Sequence, residues 1–285
     1  MDYEMIKDYQ QSNVKDKERI EIELLLQGLY AWCGYDYRNY AYNSIRRRIW
    51  HRVHAEKLAS ITGLLEKILH DSECLKRLIQ DFSIHVTEMF RDPAFFLMFR
   101  EKIVPVLRTY PSIRIWHAGC STGEEVYSMA MLLDEEGIYE KTKIYATDIS
   151  ADVLTIAKTG VFPIESMRKF TTNYLQAGGK RAFSDYYDVK DATVKFDSSL
   201  TKNVVFAQHN LVTDQSFNEF HVILCRNVLI YFDKVLQNKV HQLFYNSLGM
   251  FGFLGLGDRE SILFTNTADC YEEICRQQKL FKKIK

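Results

Sequence analysis

Apolar positions recur at helical spacing through the first part of the chain: Ile20, Leu24 and Leu25 on one segment, Ile45, Ile49 and Val53 on a second, and Leu64, Leu65, Ile68 and Leu69 on a third. That spacing predicts a small all-α domain over residues 1–80, followed by a linker to about residue 95. After residue 110 the pattern changes. Strand-like runs at 113–118, 143–146, 204–207, 222–225 and 251–256, with a helical stretch at 124–133 between the first two, predict an α/β domain over 96–285. Alternating strands and helices imply a mostly parallel sheet covered on both faces. The interval 161–203 fits no further strand–helix unit. It opens after a Thr159-Gly160 turn signal and contains Gly178-Gly179. Residues 186–196 then alternate like an exposed antiparallel strand, with Tyr187, Val189, Val194 and Phe196 as its apolar positions. This reads as an inserted small β-subdomain, the alternative being an irregular excursion.

Composition narrows the partners. Lys+Arg and Asp+Glu both number 37, so no global field draws the molecule to nucleic acid or to an acidic membrane, and any partner must be recognised by a local patch. No run approaches the roughly 18 apolar residues of a membrane span, and the polar start carries no leader pattern, so a cytoplasmic protein is expected. The six cysteines, at 33, 74, 120, 225, 270 and 275, form no CxxC pair and no zinc-ligand spacing. They are expected to be reduced and mostly buried, and no metal site is expected.

The most informative stretch is Arg114-Ile115-Trp116-His117-Ala118-Gly119-Cys120-Ser121-Thr122-Gly123-Glu124-Glu125, a buried strand, a turn of small residues and the start of a helix. Ligands of open parallel sheets bind beyond the carboxyl ends of the strands, where glycines let main chain approach them closely. The second strand ends at Asp148, 25 residues beyond Gly123, where a carboxylate can accept bonds from both ribose hydroxyls. The turn lacks the lysine of a P-loop and the GxGxxG of a dinucleotide site, and its two glutamates would repel pyrophosphate. S-adenosylmethionine carries no phosphate and has a cationic sulfonium and an ammonium group. On this chemistry a methyltransferase ranks ahead of a nicotinamide enzyme and of a purely structural glycine turn.

From about residue 20 onward the chain resembles the CheR family of chemotaxis protein-glutamate methyltransferases. The resembling stretches are Val86-Thr87-Glu88-Met89-Phe90-Arg91-Asp92-Pro93, the 115–125 turn, Ala146-Thr147-Asp148-Ile149, His209-Asn210-Leu211, and Cys225-Arg226-Asn227-Val228-Leu229-Ile230-Tyr231-Phe232. The resemblance implies a Rossmann-like methyltransferase domain with an inserted β-subdomain and an amino-terminal helical domain. It also implies S-adenosylmethionine as donor, S-adenosylhomocysteine as product, and glutamates on the cytoplasmic helical bundle of chemoreceptors as acceptors. Cofactor contacts would come from His85, Thr87, Arg91, Gly119, Glu124, Asp148, Asn210 and Leu211, with Arg226, Asn227 and Tyr231 beside the reactive methyl. The chain departs from the commoner pattern at His85, where asparagine is frequent, at Val126, where proline is usual, and at His221, where aspartate often starts the strand. The glycine-rich pattern linked in some members to a receptor's carboxy-terminal tether is absent from 186–196, so tether recognition is not expected.

A glutamate of pKa about 4.3 is already ionised near neutrality, so methyl transfer to it needs no general base and should rest on alignment and desolvation. Arg91 and Arg226 are the expected carboxylate holders, and the Tyr231 hydroxyl an orienting group. An acidic helical substrate calls for a basic docking surface. Arg46, Arg47, Arg48 and Arg52 supply one, the Ile45/Ile49/Val53 stripe leaving Arg47 on the opposite side and Arg46 and Arg48 on the flanks. No nucleic-acid partner, no membrane insertion and a monomer are expected, with recruitment to receptor arrays open. The alternatives are a methyltransferase for RNA or a small molecule, and a cofactor-sensing or docking module without catalysis.

Overall fold

The computed structural model of the chain describes residues 3–82 and 87–285, with side chains described from residue 16 onward. Contacts divide it into two compact units, Met1–Ile84 with Tyr231–Leu236, and His85–Ile230 with Gln237–Lys285.

The first unit holds four helices, α1 (Tyr3–Cys33), α2 (Tyr42–Ala55), α3 (Ile61–His70) and α4 (Ser72–Phe82). Ser60 caps α3 by accepting the Gly63 N–H at 3.1 Å, and the Asp71 carboxylate accepts the Glu73 and Cys74 N–H groups at the start of α4, each at 3.0 Å. Ile45, Ile49, Val53, Leu64 and Ile68 are all in the core, as the spacing predicts. On α1 the phase differs from expectation. Ile20 and Leu24 are 57% and 51% exposed, and Ile22, Leu25, Leu26 and Leu29 form the buried face instead. That i, i+3, i+4, i+7 set is wider than the Ile20/Leu24/Leu25 set and therefore decides which side of the helix packs. The segment Tyr231–Leu236 belongs to this unit by its contacts: the Ala41 N–H donates to the Tyr231 carbonyl at 2.8 Å, and Tyr40 bridges to Phe232.

The second unit is built on a seven-stranded sheet. Its strands are β1 (Ile113–Ala118), β2 (Thr142–Asp148), β6 (Val204–Gln208), β7 (Phe220–Cys225), β8 (Leu248–Leu256), β9 (Tyr271–Cys275) and β10 (Leu280–Lys283), in the order β6-β2-β1-β7-β8-β10-β9. The pairs from β6 to β8 are parallel, while β10 runs antiparallel to β8 and β9. Five of the seven strands were foreseen; β9 and β10 add an antiparallel edge that the pattern did not indicate. The central strand β1 is buried at every position but Arg114 because it is covered on both faces. Helix α7 (Glu124–Glu135) follows β1, and α8 (Ala151–Thr159) follows β2 and stops at Gly160, whose left-handed φ of 63° is the turn foreseen at Thr159-Gly160.

The inserted region forms a separate three-stranded antiparallel sheet, in the order β3 (Val161–Pro163), β5 (Thr193–Phe196), β4 (Tyr187–Lys190), together with α9 (Met167–Gln176). The single strand expected at 186–196 is a hairpin. Asp191, at φ 52°, turns the chain, and Lys190 pairs with Thr193. The turn also changes which residues are inside: Val194 and Phe196 are buried whereas Val189 is exposed. Phe162, Tyr174, Phe183 and Phe196 share one core with Val126, Met129 and Ala130 of α7, so the insert is fused to the α/β layer.

All six cysteines are free; Cys74, Cys120 and Cys225 are buried, and Cys33, Cys270 and Cys275 are half-buried. No helix among the described residues is long and apolar enough to cross a membrane.

Candidate functional site

Parallel register places the ends of β1, β2 and β6 side by side: Ala118 pairs with Thr147, and Asp148 with Gln208. The turn after β1 is anchored to β2 by the Gly119 and Cys120 N–H groups, which both donate to the Thr147 carbonyl, at 2.8 and 2.9 Å. Gly119, Ser121 and Gly123 all have positive φ, at 83°, 51° and 96°. The reason glycine is needed differs from the expected approach to a ligand. A Cβ on Gly119 would lie 2.5 Å from Val228 Cγ2, and one on Gly123 3.0 Å from Ala157 Cβ. The turn's glycines thus admit the 226–229 segment and α8.

Asp148 stands at the carboxyl end of β2, half-buried. Its Oδ2 accepts the Ser121 N–H at 2.9 Å and its Oδ1 the Ser150 N–H at 3.0 Å, so one carboxylate ties the turn to the start of α8. Each oxygen keeps a second lone pair. Two residues beyond β6, Asn210 Oδ1 accepts the Val212 N–H at 2.9 Å, while its own N–H donates to Asp214 at 2.8 Å, and this presents a buried Leu211. Thr87 is half-buried, and His85 lies outside the described residues.

The two glutamates that open α7 have opposite environments. Glu124 is buried with the Thr122 hydroxyl as its side-chain donor at 2.7 Å, and burial pushes its carboxyl up from the usual carboxylate range. Glu125 is half-buried, its side chain 17% exposed. Against that burial, the His117 Nδ1–H at 2.9 Å and the Arg226 guanidinium at 2.9 Å hold it down to about 2. A depressed carboxylate contributes stability that is complete above its unfolded value near 4.5 and is lost as pH falls through about 2. We expect acid titration of folding to show this loss in the wild type, roughly 3 kcal/mol between those limits, and Glu125→Gln to flatten the curve there. An unchanged acid limb in the variant would contradict the pairing.

Arg226, expected to hold the acceptor carboxylate, stands just after β7 between two carboxylates. Its side chain is 2% exposed and fully engaged at both terminal nitrogens: Nη1 donates to Glu125, and Nη2 donates to Asp92 at 2.7 Å and to the Arg91 carbonyl at 3.1 Å. The guanidinium carbon lies 4.2 Å from the Phe95 ring centroid. The two terminal nitrogens fix the turn that carries Arg91, while Nε is buried without a hydrogen-bond partner among the described residues. Phe90 and Asp92, which flank Arg91, are both left-handed, at φ 50° and 56°, and the Phe90 N–H donates to Ser128 Oγ of α7 at 2.8 Å. Arg91 itself is half-buried.

The docking arginines are also mostly committed. Arg48 is buried rather than on a flank: it donates to the Phe82 carbonyl at 2.8 Å and lies 4.8 Å over the Tyr231 ring. The cause is helix phase, since Arg48 is adjacent to Ile49 and one turn before Arg52 on the packed side of α2. Arg52 bonds Asp81 at 2.7 Å and Glu56 at 3.2 Å, and Arg46 bonds Glu18 at 2.8 Å. Arg46 and Arg47 are the exposed members. Tyr231, expected near the reactive methyl, belongs by its contacts to the helical unit.

One residue that the pattern did not flag is central to the second unit. Glu260, in the loop after β8, accepts main-chain N–H groups from Val228 and Leu229 at Oε1 and from Asn227 and Gly257 at Oε2, at 2.6–3.1 Å. It follows no periodicity, and its only signal was an acidic residue just past a buried strand.

The donor set suits S-adenosylmethionine. The turn holds no cation to grip phosphate, Glu124 and Asp148 add negative charge, and Ser121 Oγ is buried without a hydrogen-bond partner among the described residues. Among those residues no group of His, Cys, Asp and Glu is placed to hold a metal.

Comparison with known proteins agrees. The model of the CheR methyltransferase SAM-binding domain matches residues 85–278, and that of the CheR methyltransferase all-alpha domain matches 20–83. The chain is 48% identical over 264 residues to a Pseudomonas putida protein that carries the name methyltransferase Cher3, covering 93% of this chain and 97% of that one. It is 35% identical over 217 residues to the chemotaxis protein methyltransferase of Borreliella burgdorferi, covering 70% and 72% of the two chains. With that of Vibrio parahaemolyticus it shares 29% identity over 281 residues, 95% and 98% of the two. The matrix of buried contacts around a lysine-free turn and the two domain matches lead to one conclusion: the chain belongs to the CheR methyltransferase family and uses S-adenosylmethionine.

Proposed function

We propose that the protein forms methyl esters on glutamate side chains of the cytoplasmic helices of chemoreceptors, in the adaptation of chemotaxis-type signalling. The observation that carries this reading is Arg91, a cation held on a turn whose main chain is fixed by Arg226 and Ser128, beside the acidic cofactor turn. The names of the relatives, chemotaxis protein methyltransferases, support it.

S-adenosylmethionine supplies an electrophilic methyl group on a sulfonium. The acceptor carboxylate is ionised near neutrality, so the protein's part is alignment and exclusion of water. Asp148, with its free lone pairs, is proposed to accept the ribose hydroxyls. Asn210 and Leu211 border the adenine, and Glu124 with Gly119 and Thr87 line the remainder. Arg91 takes the acceptor carboxylate by charge-assisted bonds. Arg226 and Asn227 act by shaping the loops. Arg46 and Arg47 offer positive charge to an acidic helix, and Arg48 and Arg52 stiffen α2 beneath them.

The test is transfer of a labelled methyl group from S-adenosylmethionine to a purified chemoreceptor cytoplasmic fragment. We expect labelling that disappears when the acceptor glutamates are changed to glutamine. An inert receptor fragment alongside a labelled RNA or metabolite would replace this substrate assignment.

A further inference from the structure

Glu260 is 4% exposed, yet its carboxylate faces four main-chain N–H donors. Three of them are consecutive, from Asn227, Val228 and Leu229, in the turn that leaves β7; the fourth, from Gly257, leaves β8. Such an arrangement is a small anion nest occupied by a side chain from the protein itself. Gly257 is required for it, because a Cβ there would lie 2.8 Å from the Asn227 nitrogen and 2.9 Å from Glu260 Oε2.

The nest holds an otherwise costly conformation. Asn227 sits at φ 63°, and a non-glycine residue in that region persists only where its surroundings over-determine it. The consequence reaches the cofactor turn through Val228. Its main-chain N–H is held by Glu260, while its side chain packs on the face of Gly119 where a Cβ would stand, 2.5 Å from Cγ2. The path from carboxylate to turn is therefore Glu260, the 227–229 main chain, the Val228 methyls and Gly119. Gly119 in turn is fixed from the other side by the Thr147 carbonyl, next to Asp148.

We propose that Glu260 is a positioning residue for cofactor binding, its carboxylate fixing the 227–229 turn so that Val228 buttresses the Gly119 turn in its binding shape. The proposal rests on S-adenosylmethionine use and is independent of the acceptor, so the experiment uses cofactor product alone.

Glu260→Gln keeps the shape but offers one oxygen acceptor to four donors and sets an amide N–H₂ against two of them. We expect the full-length variant to melt cooperatively and to bind S-adenosylhomocysteine about tenfold or more weakly by calorimetry, since bonds to a charged acceptor are the stronger kind. Glu260→Asp, which keeps the charge on a shorter stem, should recover part of that affinity. Val228→Ala, which retains the nest and removes the buttress, should also weaken binding several-fold. A purely structural glutamate would lower the melting temperature and leave the affinity of the folded variant unchanged. Wild-type affinity in folded Glu260→Gln overturns the proposal, and so does wild-type affinity in Val228→Ala, which decides the matter if Glu260→Gln does not fold.

Discussion

Arg226→Ala is expected to destabilise the protein by about 2–4 kcal/mol, because it removes the buried shared partner of two carboxylates that are only partly exposed to water. The Arg226 side chain pairs with both Glu125 and Asp92 and donates to the Arg91 carbonyl. Glu125 is half-buried, with His117 left beside it after the substitution. The same change releases the turn that carries Arg91, so methyl transfer should fall with stability. Arg226→Lys is not expected to rescue either property. An ammonium cannot reproduce the planar fork that reaches Glu125 with one nitrogen and Asp92 and Arg91 with the other, nor its stacking on Phe95. Urea unfolding measures the effect. A double-mutant cycle with Glu125→Gln should show strong coupling, the pair costing less than the sum of the singles. A loss under about 1 kcal/mol for Arg226→Ala would mean that the cluster is not closed as described.

Asp148→Ala is expected to weaken S-adenosylhomocysteine binding about 100-fold or more, from the loss of charge-assisted bonds at the ribose and of the fastening of Ser121. Both effects act on the same ligand. The carboxylate takes the Ser121 N–H at 2.9 Å and the Ser150 N–H at 3.0 Å, so its removal loosens the turn after β1 as well as deleting the proposed ribose acceptor. Asp148→Asn should fall between wild type and alanine, since the amide oxygen can still accept one of the two N–H bonds. Calorimetric titration decides: unchanged affinity in Asp148→Ala removes the ribose assignment.

What the chain's pattern reveals, and what it conceals, follows from the range of the interactions involved. The strand at 222–225 is legible because it is buried on both faces and therefore continuously apolar, and that at 113–118 because Ile113, Ile115, Trp116 and Ala118 form a short buried run. The cofactor turn is legible because its glycines, its two glutamates and the distance to Asp148 are local or nearly so. The phase of α1 was misjudged because Ile20 and Leu24 are apolar residues on an exposed face, and only the packed structure separates them from Ile22 and Leu29. The hairpin at 187–196 was hidden because its two-residue turn, Asp191-Ala192, lacks the glycine that marks such turns, although the alternation changes phase between Val189 and Val194. Arg226 was expected to hold the acceptor carboxylate, and Arg48 to lie on a flank of the docking surface. Their partners lie 101 residues away at Glu125 and 34 residues away at Phe82, beyond any local pattern. Glu260 was missed for the same reason, its four donors being main-chain groups that no side-chain pattern marks.

The central claim is that the transferred methyl ends on a carboxylate, and the most direct measurement is the fate of the product in mild alkali. Receptor fragment labelled from S-adenosylmethionine by this protein should release its label as volatile methanol, as an ester does. Label that stays on the protein through the same treatment would place the methyl on nitrogen or another stable position and contradict the account.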